Sequence, residues 1–325
     1  MSNRVKVTPA ADDGIHLSPD KDALLADYLV DLEAQQVTHR TVLNYKSNVR
    51  IYLAFLGHLD ACKAGTSEFA RFLKHLKEER ELGAKSIMRY FNALSSFYSY
   101  LEFMGRIEKN ALPLFRERYL GILQREAKKD VSALRQLISV EEMRALAHSM
   151  IEARDRAVLV LLAKTGVRRE ELVNMDLEDV DFKEQSITLK PTPKRTNLLV
   201  FFDDETSRVL KRWLVIREAR GGGPTGPLFL GDHGGRLDRN RVYEIITEAA
   251  EAIGLHKKDG RLKDKFTPHC ARHFFTSHLR RASMPPEYVA WLRGDKPAHT
   301  IDLYTHIDPK AVRESYRARI PQLGF

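Results

Sequence analysis

The stretch Thr165-Gly166-Val167-Arg168-Arg169-Glu170-Glu171-Leu172 sets one glycine between two helical runs. Residues 155–163 before it are apolar and read as helix. Glycine turns the chain tightly where other residues cannot, so Gly166 is expected to aim Arg168 inward. A surface arginine at a helix start is the ordinary alternative, and Arg169 is read that way. Two further segments stand downstream. One is Thr267-Pro268-His269-Cys270-Ala271-Arg272-His273; the other is Leu292-Arg293-Gly294-Asp295, followed by Tyr304-Thr305-His306. His269 and Arg272, three residues apart on a helix, share a face.

Around these segments the second half of the chain alternates. A helix starts at Ser139, with Glu142 three residues on as a capping box. Residues 186–190 and 198–202 are short β-type runs joined by a Pro-containing turn, which predicts a hairpin. Residues 228–230 read as a third short strand. Helices are expected over 204–219, 239–253, 269–281 and 286–292, and again over 311–319 in a C-terminal tail.

The first third is helical throughout. Leu24, Leu25, Tyr28, Leu29 and Leu32 fall on one face; Val42, Val49, Leu53 and Leu56 form the stripe of a second helix over 38–56. A third helix begins near Ser67, read as its N-cap, and buries Phe69, Phe72, Leu73 and Leu76. A fourth carries Ile87, Phe91, Leu94, Tyr98 and Leu101 and ends at Gly105. The opposite faces of the second and fourth hold Arg40 and Lys46, and Lys85 and Arg89. These stripes are ordinary solvated faces or a DNA-contacting surface. Residues 113–138 turn charged and aperiodic, as an interdomain linker does, and residues 1–19 read as a disordered leader.

Composition narrows the class. The chain has 325 residues, 43% apolar and 30% charged, with a formal net charge of +9, which suits two domains and a polyanionic partner. No apolar run approaches the ~20 residues of a membrane span. Cys62 and Cys270 have neither the spacing of a zinc site nor that of a disulfide framework, so a reducing cytoplasm is expected. Walker loops, dinucleotide fingerprints and nucleophile elbows do not occur in the sequence.

Taken in order, the three segments resemble the T-G-x-R-x-x-E-L box, the H-x-x-R-H box and the L-x-G-H segment of the tyrosine site-specific recombinases (integrases). Tyr304 stands nine residues after Asp295, as the family's nucleophile does after its histidine. Residues 38–57 and 83–110 look like the family's helical, SAM-like core-binding domain. The resemblance implies a mainly α fold with a small antiparallel β-sheet. It would comprise a core-binding domain over 20–112, a linker over 113–138 and an α+β catalytic domain with its tail over 139–325. The two domains would clamp duplex DNA. The protein would be a monomer when free and a homotetramer on two specific sites, needing neither metal nor cofactor.

The resemblance also assigns roles. Arg168 and Arg272 would grip the scissile phosphate, since a guanidinium is always cationic and binds two oxygens at once. Tyr304 would attack phosphorus to give a 3′-phosphotyrosine. His269, with an ordinary pKa near 6.5, would take the tyrosine proton or donate to the phosphate. Glu171 would orient arginine or histidine from behind. His273 and His278 are read as packing groups, and Tyr288 and Tyr316 as core aromatics. The general acid would be a hairpin lysine, Lys194 in preference to Lys190. Asp295 departs from the family, whose relatives carry His or Trp there as a donor; an ionised Asp accepts only. Three outcomes stand open: Asp295 pairs with an arginine, Lys296 or His299 substitutes, or the enzyme is impaired. Two rival functions use the same residues, a type IB topoisomerase and a DNA-binding regulatory protein with a decayed site.

Overall fold

A computed structural model describes residues 14–123, 125, 137–193, 195–295 and 307–325. The chain divides into two compact units, Met1–Val131 and Ser132–Phe325. The proposed leader falls mostly on residues 1–13, outside the described residues. Its last part is held: Ile15 O accepts from Arg50 Nη2 at 2.8 Å.

The first unit is built from α1 (Pro19–Ala34), α2 (His39–Phe55), α3 (Thr66–Lys74) and α4 (Ala84–Phe103). Pro19 opens α1, where a missing N–H costs nothing, and Asp20 and Asp22 meet the positive end of the helix dipole. Lys21 is buried in α1 and donates to the carbonyls of Leu53 (2.8 Å) and Gly57 (2.7 Å), which closes the otherwise unsatisfied end of α2. Ser67 is not the cap of α3; the helix starts one residue earlier, and Glu68 Oε2 accepts the N–H of Gly65 at 2.9 Å. The core is aromatic. Tyr28, Tyr52, Phe69, Phe72, Phe91, Phe97 and Tyr98 are buried, and the Tyr52 and Tyr98 hydroxyls pair at 2.8 Å.

The expected linker begins later than 113. Residues 112–115 form α5 (Leu112–Phe115), a π-helical turn follows over Arg116–Leu120, and Phe115, Leu120 and Leu123 are buried in the first core. Their apolar positions are too few and too unevenly spaced to read as an amphipathic helix among so many charges.

The second unit is organised around one buried helix. Ser139 caps α6 (Val140–Ser149) through Glu142 N at 3.1 Å, and Glu142 Oε2 accepts the Ser139 N–H at 2.7 Å. Next comes α7 (Ala153–Thr165), buried on all sides from Ala157 to Ala163, as a helix apolar all round must be. The short α8 (Arg169–Val173) leads to the sheet. Strands β1 (Val180–Asp181), β2 (Ser186–Thr188) and β3 (Leu199–Phe201) are antiparallel in the order β1-β2-β3, with Ile187 opposite Val200. The hairpin is where the sequence put it. The third strand is not: residues 228–230 make only the isolated bridge Leu230 to Arg236. All three side chains are buried, whereas a strand with one solvated face would alternate.

Helices α9 (Asp204–Ala219), α10 (Arg239–Ala252), α11 (Pro268–Arg281), α12 (Pro286–Arg293) and α13 (Pro309–Arg317) complete the unit. The last residues then fold back onto it. Lys164, fully buried, lies 2.6 Å from Asp203 Oδ2 and 2.7 Å from Glu205 Oε2 and donates to the Pro321 carbonyl. The Glu205 carboxylate accepts the backbone N–H groups of Leu323, Gly324 and Phe325, and His148 stacks on the Phe325 ring at 4.3 Å. The tail therefore packs on its own domain. Burial disfavours the Glu205 anion, but the tail N–H groups and Lys164 outweigh it and hold the carboxyl at about 2, against an ordinary 4.5.

A carboxyl lowered on folding stabilises the fold in full above its ordinary pKa, and that contribution is lost as pH falls through the folded value. Glu205→Gln is therefore expected to cost about 2–3 kcal/mol at pH 6, and the gap to the unaltered protein should close progressively below pH 4.5 towards pH 2. Urea midpoints at pH 6 and pH 3 check this; an equal gap at both would mean the charged tail contact is not its source.

Candidate active site

Arg168 occupies the N-cap position of α8 with extended backbone, φ −77° and ψ 152°. Glu171, in the first turn, reaches back: its Oε2 accepts the Arg168 N–H at 2.7 Å and its Oε1 meets Arg168 Nη1 at 2.8 Å. One carboxylate thus caps the helix and fixes the arginine's side chain. Glu171 is buried, not an exposed helix carboxylate.

Gly166 ends α7 in the left-handed region at φ +62°, and a Cβ there would sit 2.3 Å from the Phe275 ring. Its carbonyl, freed by the turn, accepts Arg272 Nη1 at 2.5 Å. Arg272 lies in the second turn of α11, only 4% exposed, and donates through Nη2 to the Arg293 carbonyl at 2.9 Å. Burial, then the neighbouring charges of Arg168 and Arg293, bring its pKa down from 12.5 to about 10, with Asp295 and Glu171 opposing them. It stays cationic at neutral pH, short of counter-charge.

Asp295 supplies the anion that gathers the cluster. Its Oδ1 lies 3.1 Å from Arg272 Nη2 and 3.5 Å from Arg168 Nη2, and its Oδ2 lies 2.9 Å from Arg293 Nε. Of the three outcomes open for this position, pairing with arginine is the one found; Lys296 and His299 lie outside the described residues. Behind it Arg195, with a fully buried side chain, donates to Glu171 Oε2 (3.0 Å) and to the carbonyls of Leu292 (2.6 Å), Arg293 (3.1 Å) and Asn197 (2.5 Å). This ties the β2–β3 hairpin to the end of α12. Gly294 permits it: at φ +61°, a Cβ would lie 2.3 Å from the Arg195 side chain. Four guanidiniums (168, 195, 272, 293) face two carboxylates (171, 295), leaving two positive charges to attract an anion.

The other expected residues fall as follows. His269 stands exposed near the start of α11, its ring 4.7 Å from that of His273. His278 packs on Phe274 and meets the Ile138 carbonyl at 3.1 Å. Lys190 pairs with Asp176, which also binds Arg236. Lys194 and Tyr304 lie outside the described residues. Tyr316 is a buried core aromatic whose hydroxyl donates to Lys164 O at 3.0 Å, and Tyr288 packs beside the same cluster. In the first unit Arg40, Lys85 and Arg89 are exposed and Lys46 half-exposed; none has an ion-pair partner among the described residues. The sequence assigns no role to Arg195 or Arg293: the hairpin is expected to supply a lysine, and Arg293 stands in the quoted segment without one. The adjacent Gly294-Asp295 pair was the one available signal.

Comparison with known proteins shows the family and the fold. Residues 135–311 match the phage integrase family, and residues 24–103 match the N-terminal SAM-like domain of phage integrases. The chain is 28% identical over 301 residues to the tyrosine recombinase XerC of Thermodesulfovibrio yellowstonii, covering 85% of this chain and 94% of that one. It is 24% identical to the tyrosine recombinase XerD of Listeria monocytogenes, covering 92% and 99%. Among solved structures, the Tn1549 transposon integrase in complex with transposon right end DNA superposes with a TM-score of 0.67 at 18% identity, over 90% of this chain and 97% of that one. A lambda integrase dimer bound to a core site gives 0.66 at 17%, over 88% and 97%.

Two substitutions test the scaffold. Gly166→Ala adds a left-handed strain and a clash with Phe275, and should cost about 2–4 kcal/mol. Arg195→Met keeps the stem but strands part of a buried carboxylate and should cost about 3–5 kcal/mol. Both are read from urea unfolding by tryptophan fluorescence, since Trp213 and Trp291 both lie in this unit; a cost under about 1 kcal/mol at either site would contradict the packing described.

Proposed function

The chain belongs to the phage integrase family and is a tyrosine recombinase, and on that premise we propose that it recombines specific DNA sites through a 3′-phosphotyrosine formed by Tyr304. The phenolic oxygen attacks the scissile phosphorus, and the 5′-oxygen leaves. Rejoining is the reverse attack, so the bond energy is conserved and no nucleotide is consumed. Arg168 and Arg272 hold the scissile phosphate by a nonbridging oxygen, where charge accumulates in phosphoryl transfer. His269 takes the tyrosine proton or donates to the phosphate. Lys190 is engaged by Asp176, which supports Lys194 as the acid that protonates the 5′-oxygen.

The observation that carries this reading is the convergence of the Arg168 and Arg272 guanidiniums on a single anionic oxygen, Asp295 Oδ1. Two arginines from different helices, one of them buried, share one seat for an anion. In the DNA-free protein Asp295 fills that seat, and a phosphodiester replaces it. The exposed bases Arg40, Lys46, Lys85 and Arg89 would meet the DNA backbone. The protein would act in the cytoplasm as a tetramer on two sites and as a monomer without them, in integration, excision or dimer resolution. Asp295 in the seat also favours a second reading, a DNA-binding protein with an impaired site.

The test uses a duplex selected by the protein from a randomised library, made as a nicked suicide substrate. A covalent adduct is expected, absent in Tyr304→Phe, and slower by about 10²–10³ in Arg168→Ala or Arg272→Ala. Tight, specific binding with no adduct selects the second reading; an adduct that persists in Tyr304→Phe sinks the assignment of the nucleophile.

A further inference from the structure

We propose that Arg293 is a third phosphate-binding arginine of the cleavage reaction, gripping the nonbridging oxygen that Arg168 and Arg272 leave to it. The inference rests on the recombinase reading of the same site. Its basis is how Asp295 is held. The carboxylate is a planar, two-oxygen anion, and its two oxygens are not shared alike. Oδ1 faces Arg168 and Arg272, at 3.5 and 3.1 Å. Oδ2 lies 2.9 Å from Arg293 Nε, a buried nitrogen that has no hydrogen-bond partner among the described residues. A phosphodiester also offers two equivalent anionic oxygens, and a phosphate seated as this carboxylate is seated would present one to the pair and the other to Arg293.

Arg293 is equipped for the task. Its backbone is pinned twice, since its carbonyl accepts from Arg272 Nη2 at 2.9 Å and from Arg195 Nη1 at 3.1 Å. Gly294, in the left-handed region, then turns the chain so that Asp295 returns to the same cluster. The side chain is 31% exposed, similar to that of Arg168 at 32%, so both border the open side of the seat while Arg272 forms its floor. Its two terminal nitrogens have no hydrogen-bond partner among the described residues. A guanidinium offers five N–H donors; here none has a hydrogen-bond acceptor among the described residues, and Nε lies beside the place an anion must occupy. The usual donor at position 295 is replaced by an acceptor, and Arg293, two residues earlier, returns a donor to the site.

The test compares three scissile linkages in the selected suicide duplex: the phosphodiester and the two methylphosphonate diastereomers, each of which replaces one nonbridging oxygen by a neutral methyl. On the phosphodiester, Arg293→Ala and Arg293→Gln should form covalent adduct at least about tenfold more slowly, with duplex affinity changed less than about threefold. On the diastereomer lacking the oxygen that Arg293 faces, the loss should vanish; on the other it should remain. Arg272→Ala should show the opposite preference. Equal losses on all three linkages would mean that Arg293 only props the turn after α12, and no loss on the phosphodiester would mean it plays no part; either overturns the inference while the recombinase reading stands. Failure of the unaltered protein to form adduct would overturn the reading itself, and this inference with it.

Discussion

Like charges repel, and guanidinium groups brought within contact of one carboxylate stay together only if something pays for their proximity. Here the neutralisation is partial. Glu171 and Asp295 supply two negative charges to four arginines, and the rest of the cost is met by dipoles. The carbonyls of Gly166, Leu292, Arg293 and Asn197 all point into the cluster. Carbonyls orient a guanidinium without cancelling its charge, so the residual attraction for an anion survives burial. This is preorganisation: the donors are held in place before any phosphate arrives, and little reorganisation is needed when it does.

The same constraint explains the two glycines. Gly166 and Gly294 each end a helix with positive φ, and each stands where a Cβ would strike a neighbour, Phe275 in one case and Arg195 in the other. The turn at Gly166 frees a carbonyl for Arg272, and the turn at Gly294 brings Asp295 back to the arginines. Beneath them, α7 is buried on every side and anchored at its end by Lys164, whose ammonium joins Asp203, Glu205 and the Pro321 carbonyl. The tail and the arginine cluster are thus both referred to the last turn of α7, a rigid base about which the site is assembled.

Asp295 changes meaning in this setting. By residue type it looked like a fault, an acceptor where a donor is usual. In place, it is the ion that lets three guanidiniums converge in the absence of DNA. Its two oxygens, unequally shared, mark where the two oxygens of a phosphodiester would lie.

Local patterns were legible from the sequence. Helix periodicity, the Ser139 cap, the hairpin and the spacing of Arg168, His269, Arg272 and Tyr304 each depend on residues close in the chain or on a short motif. The strand misread at 228–230 and the linker begun too early at 113 failed for one reason: burial there is set by distant partners, which no local period encodes. The same holds for the site. That Glu171 reaches Arg195 as well as Arg168, that Arg272 meets Asp295, and that the tail is held in its own domain by Glu205 rest on pairings across 23 to 118 residues of chain. Residue type announces that a charge exists; only the folded backbone decides which opposite charge it meets, because Coulomb attraction and hydrogen bonding act through space and not along the sequence.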